Sequence, residues 1–205
     1  MICRLSYLLG LLAPLLFVFT VILGGTLRPG YSHVLDTMNE LFSPGSPNRQ
    51  LLSALYTIFA VMLSIFGFGL LQFVQEIGEY RTIGIIATLA FVSVGVISIL
   101  SATLFPQDAW GSTPTLPGRL HIILHGIISL LSFLYMLLFG VWFRLTRIAK
   151  CFLVYSLVTV VAASLTAGWF VVSSEGQLMG VAERAATLIE FQWIIVLAVV
   201  LLKND

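Results

Sequence analysis

Apolar residues in this chain come in six long runs, at positions 5–27, 50–75, 82–107, 120–143, 151–174 and 185–202. Short polar segments separate them, and one Asp, Glu, Lys or Arg falls inside them, Glu190. A helix needs about 20 apolar residues to cross the hydrocarbon core of a bilayer, and each run supplies that length. In lipid a backbone must satisfy its own N–H and C=O groups, and runs this long exceed the strands of a barrel. The pattern predicts an all-α fold: a six-helix transmembrane bundle, with spans near 5–24, 51–74, 83–104, 120–142, 151–173 and 186–202. Pro14 inside the first span predicts a kink. That span is read as retained rather than cleaved, because its apolar run is long and no A-x-A-type site follows.

The polar segments set the organisation. One side of the bundle holds Arg4, Arg81, Arg144, Arg147, Lys150 and Lys203; the other holds Arg28, Arg49, Arg119 and Arg184. The excess, concentrated in Arg144–Lys150, puts both termini in the cytoplasm of a multi-pass cell-membrane protein. That cluster also suits anionic lipid. Six of the seven prolines (Pro29, Pro44, Pro47, Pro106, Pro114 and Pro117) fall in the two long external loops, 25–50 and 105–119. Such concentration predicts ordered turns rather than slack linkers. Within the first loop, Tyr31, Val34, Leu35, Met38, Leu41 and Phe42 recur at helical spacing, with His33, Asp36 and Glu40 opposite. This predicts a short amphipathic helix over 31–42, ended by Ser43-Pro44-Gly45-Ser46-Pro47. It either plugs the external mouth of the bundle or floats in the interface with a solvated polar face.

Composition agrees and excludes. With 59% hydrophobic and 9% charged residues, and a mean hydropathy of +1.06, lipid is the main solvent and the whole chain is one membrane domain. A net charge of +1 argues against nucleic acid, which needs a basic stripe. Cys3 and Cys151 form no disulfide framework or metal motif, and are expected to be packing residues near one membrane face. No G-x-S-x-G, S-x-x-K or H-E-x-x-H motif occurs. Haem ligation across the bundle is disfavoured, since every histidine maps to one side. In the fifth span, Ser164-x-x-x-Gly168 and Ala163-x-x-x-Ala167 suit close packing within the bundle or a homo-oligomer.

The ionisable groups gather on the external side: His33, Asp36, Glu40, Asp108, His121, His125, Glu175, Glu183 and Arg184. His121 and His125 share a helical face with Ser129 and Ser132, and span six offers a second stripe, Glu183, Thr187 and Glu190. Convergence of the stripes beneath the first loop would make one polar site. A divalent metal would take His121 and His125, with His33, Asp108 or Glu183 as third ligand; the plain alternative is histidines bonded to loop carbonyls or water. Asp108 either caps the turn after Phe105-Pro106-Gln107 or faces His121. Glu190 is a functional-site candidate because an intramembrane carboxylate must find a partner or a proton. A neighbouring hydroxyl or Arg119 would supply the partner, while Arg184 is too far along the axis, about 9 Å at 1.5 Å per residue. Arg28 and Arg49 either grip a lipid phosphate or anchor the spans at the interface.

Three stretches carry a family resemblance. They are Leu27-Arg28-Pro29-Gly30-Tyr31-Ser32-His33 running into Pro44-Gly45-Ser46-Pro47-Asn48; Phe105-Pro106-Gln107-Asp108 with His121 and His125; and Gly180-Val181-Ala182-Glu183-Arg184 leading to Trp193. Together they resemble the domain-of-unknown-function 998 family of small prokaryotic membrane proteins. The resemblance implies a six-helix bundle with a structured external loop. It also implies that this loop, Asp108, the two histidines and Glu183-Arg184 act as one unit; it supplies no activity.

Three functions fit this reading. One is an external polar pocket that binds an amphiphile or membrane-lipid headgroup, with the first loop as lid. Another is a metal-dependent hydrolase acting on lipid, with His121, His125 and His33 on the ion. The third is a small proton-coupled transporter using Glu190, against which the inner halves of the spans offer only scattered Ser and Thr.

Overall fold

Six helices carry the six apolar runs. In the computed structural model, which describes residues 2–108, 112–173 and 178–204, they are α1 (Ile2–Leu27), α2 (Arg49–Ile77), α3 (Arg81–Leu104), α4 (Leu116–Leu145), α5 (Phe152–Val172) and α6 (Met179–Asn204). No strand occurs among the described residues, and all six helices are long and apolar enough to cross a membrane. The chain is an all-α, multi-pass membrane protein. Helix α1 passes through Pro14 as one continuous helix. Glu175 lies outside the described residues, as does the Cys3 side chain.

Each helix packs chiefly on its neighbours in the chain, and α6 returns to α1, closing a ring. Aromatic side chains fill its axis. Phe17 of α1 and Phe59 of α2 meet Phe191 of α6 at ring-centroid distances of 5.1 and 5.6 Å. Tyr135 of α4 lies 5.0 Å from Phe91 of α3 and 5.3 Å from Trp193 of α6. Phe152 of α5 reaches the same Trp193 at 5.4 Å. Lipid tails are as apolar as these rings, so close packing rather than transfer from water holds the helices together. Interior hydrogen bonds add to it, such as Trp193 Nε1 donating to Ser156 Oγ at 3.0 Å. On α5, Ala163 is buried, while Ser164 and Gly168 face away from the bundle.

Helix α6 departs most from the expected spans. It begins at Met179 rather than 186, so Glu183 and Arg184 sit on the helix and not in a loop. Counting apolar residues finds the hydrocarbon section; a helix runs on into the interface where charged side chains find partners.

The first loop is ordered, but not as one helix. A turn at 32–36 comes first, with the Asp36 N–H bonded to Ser32 O at 2.8 Å and the Asp36 carboxylate accepting from Ser32 N at 2.7 Å. Ser32 Oγ accepts from the N–H groups of Val34 and Leu35. These side-chain bonds offer the backbone an alternative to a helix. Only a 3-10 turn, Asn39–Phe42, follows. Met38, Leu41 and Phe42 are buried as the periodicity requires, whereas Val34 and Leu35 are about half exposed. Glu40, on the polar face of that stretch, is buried. Cys151 also differs from expectation: it is exposed and free rather than packed.

Candidate functional site

At the end of the bundle that carries the long loops, α6 holds the first loop by two adjacent side chains. Glu183 accepts from the Met38 N–H at 2.5 Å and from Asn39 Nδ2 at 2.8 Å. Arg184 Nη1 donates to the carbonyls of Asp36 and Gly180 at 2.9 and 2.8 Å. Its Nη2 donates to the Tyr31 hydroxyl at 2.5 Å and to His33 Nδ1 at 3.2 Å. The Val181 N–H adds a backbone bond to Val34 O at 3.2 Å. Gly180 makes this approach possible, because a Cβ there would lie 2.4 Å from Asp36 O and 2.7 Å from Arg184 Nη1. The Tyr31 ring lies between two guanidinium groups, Arg28 and Arg184, each 5.7 Å from its centroid, in cation–π range.

The charges here are unevenly matched. Arg28 bonds Glu40 through its carbonyl at 2.8 Å and its carboxylate at 3.5 Å, and the Asp36 carboxylate turns back onto Ser32. Arg184 hydrogen-bonds only neutral groups: no carboxylate oxygen among the described residues lies within 4.0 Å of it, the adjacent Glu183 carboxylate interacts with it at longer range, and its Nε is buried with no hydrogen-bond partner. Burial pushes the Tyr31 phenol up to about 12 despite Arg184 beside it. Burial, and then the Arg184 charge, hold the His33 imidazole below its ordinary value. Burial and Asp36 raise the Glu40 carboxyl, with Arg28 opposing.

Against this clamp lies a cleft of about 190 Å³ between α1 and α6. Phe17, Val21, Ile22, Leu188 and the loop's Met38 line it, with His33, Arg184 and Thr187 as its polar residues. Ile22 and Leu188 are each 53% exposed on the outer surface of the ring, so the cleft borders the lipid-facing side.

The α3–α4 corner is a separate structure. Asp108 braces the capping residue of α4: its carboxylate accepts from Thr115 N at 2.8 Å and Thr115 Oγ1 at 2.6 Å. Thr115 in turn accepts from Gly118 N at 3.2 Å as the N-cap of α4. The two Thr115 bonds hold the Asp108 carboxyl below the usual carboxylate range. His121 Nδ1 lies 2.9 Å from Phe105 O and 3.0 Å from Ser101 Oγ. A carbonyl only accepts, so Nδ1 carries the hydrogen; Nε2 is buried without a partner. His125 stacks on His121, centroids 4.2 Å apart.

The polar residues therefore divide. His33, Asp36, Glu183 and Arg184 come together at the first loop, while Asp108, His121 and His125 stay at the α3–α4 corner. The expected metal triad of His121, His125 and His33 does not assemble. His33 is engaged by Arg184 on the α1–α6 side of the ring. Among the described residues no three His, Cys, Asp or Glu side chains converge to hold an ion. Glu190 joins neither group: its Oε1 accepts from Ser132 Oγ at 2.5 Å and Tyr135 OH at 2.8 Å in the bundle interior. That is the hydroxyl-partnered alternative, with no part for Arg119. Sequence reasoning missed Tyr31 as a partner of Arg184 and Phe17 and Val21 as a cleft wall. Glycine at 180, three residues before Glu183, is the one sequence signal of the close approach.

A family model described as a protein of unknown function (DUF998) matches residues 11–200, which include every residue of both groups. The chain belongs to this family. No curated protein and no solved structure matches it. In this DUF998 chain the two long-loop clusters are thus distinct polar structures, each built around the start of one helix.

Proposed function

We propose that this protein binds an amphiphile where the first loop meets α1 and α6, at the outward end of a cell-membrane bundle with cytoplasmic termini. The headgroup rests against Arg184 and His33; the chain lies along Phe17, Val21, Ile22 and Leu188, and Met38 with its loop serves as lid. One observation carries this reading: a guanidinium hydrogen-bonded only to neutral groups lines a mostly apolar cleft. In a low-dielectric setting such a charge attracts the oxygens of a carboxylate or phosphate ester. The lipid-facing position of Ile22 and Leu188 supports entry from the bilayer.

The test is the amphiphile that co-purifies with the protein, quantified by mass spectrometry after extraction. Val21→Phe, which fills the cleft, and His33→Ala, which removes one of its polar residues, are each expected to lower the bound amount several-fold. His121→Ala, at the other corner, is expected to leave it unchanged. Equal retention by all three variants would sink the reading.

A further inference from the structure

The opposite end of the bundle carries a second concavity, independent of the α1–α6 cleft. Where α4 passes to α5, a shallow groove of about 530 Å³, wide open to its surroundings, lies beside the connecting turn and α6. Phe152, Tyr155 and Val196 give it an apolar lining, and the exposed Arg147 and Lys150 line it as well. An apolar lining with two cations matches a molecule with an apolar chain and an anionic head.

The turn sets where the cations start. Helix α4 closes with the Thr146 N–H on Trp142 O at 2.9 Å, and the Arg147 N–H follows on Arg144 O at 3.3 Å. Arg147 there adopts a left-handed backbone, φ 61°, the position where glycine usually ends a helix. An arginine in that conformation is disfavoured locally, yet it gives the groove a guanidinium. Neither Arg147 nor Lys150 has a carboxylate within 4.0 Å among the described residues. Arg81, Arg144 and Lys203, at the same end of the bundle, do not line the groove.

We propose that this groove binds an anionic phospholipid, its phosphate held between Arg147 and Lys150 and an acyl chain laid against Tyr155 and Val196. A guanidinium fork suits phosphate oxygens, and basic segments beside a span attract anionic headgroups. Ordinary interfacial anchoring would spread the effect over all cations at this end; a built groove confines it to two.

Cys151, exposed and free, lines the groove and reports on it. Full-length protein carrying Cys3→Ser is placed in phosphatidylcholine vesicles containing increasing phosphatidylglycerol, and labelling by neutral N-ethylmaleimide is timed. Labelling of Cys151 is expected to slow several-fold with phosphatidylglycerol and not with inorganic phosphate. Arg147→Gln with Lys150→Gln is expected to abolish the protection, and Arg144→Gln to preserve it. A reporter cysteine at exposed Tyr80 on the α2–α3 turn at the same end (Tyr80→Cys in a Cys3→Ser, Cys151→Ser background) reads the general effect of a charged membrane surface. Equal slowing at the position-80 reporter, equal protection by inorganic phosphate, or an equal loss with Arg144→Gln would each overturn the proposal.

Discussion

The starts of α4 and α6 carry similar polar residues and use them in opposite ways. At α4, Asp108 bonds Thr115 seven positions away, and His121 reaches back 16 positions to Phe105. The corner ties a loop to the helix that follows it. At α6, Glu183 and Arg184 bond residues 144 to 153 positions distant, and those bonds join the two ends of the ring. A short-range cluster organises one turn. The long-range cluster closes the seam between α1 and α6, and the apolar cleft lies on that seam.

The strongest way to break this contrast is Arg184→Ala. It removes three bonds donated to the loop, to Asp36 O, the Tyr31 hydroxyl and His33 Nδ1, and the loss is expected to be about 3 kcal/mol, the upper range for hydrogen bonds to a charged group. Thermal unfolding in detergent reads the loss, and proteolysis between residues 30 and 48 reads release of the loop. Unchanged protection of the loop would mean that the seam is held by helix packing instead. At the other corner Thr115→Ala removes a helix cap and is expected to cost about 1 kcal/mol, without exposing the first loop to protease. If it did expose the loop, the two corners would be coupled.

A smaller effect comes from pH. Folding holds the His33 imidazole below its ordinary value of 6.5, so the folded state favours the neutral ring, whose Nδ1 accepts from Arg184. Its contribution is complete above that ordinary value and is lost as pH falls through the lower folded value. Proteolysis of the first loop is expected to quicken on acidification from neutral pH, and His33→Gln to flatten the response. A wild-type loop whose cleavage ignores pH through this window would remove His33 from the clamp.

Much of this was legible in the residues. The apolar runs predict six helices, and the proline-rich loops predict order. For Asp108 the residues offered two uses, a cap or a partner of His121, and the structure ties it to Thr115 seven positions on. Periodicity predicts a helix over 31–42 because it weighs apolar spacing and ignores Ser32 and Asp36, whose side chains capture nearby N–H groups. Hydropathy counts only the hydrocarbon section, so it starts the sixth span at 186 although α6 runs from Met179. His33 was grouped with His121 because both lie at the same depth; depth says nothing about which side of a ring a residue occupies.

By itself the sequence determined the number and kind of elements, since each apolar run in lipid must close its own backbone hydrogen bonds within a helix. It also decided which end gathers the histidines, because alternate crossings leave alternate loops together. Only the tertiary structure decided that α6 meets α1, and hence that Arg184 rather than a histidine pair lines a cleft. Contacts spanning 144 to 153 positions arise from how side chains interlock around the whole ring, and no local spacing encodes that.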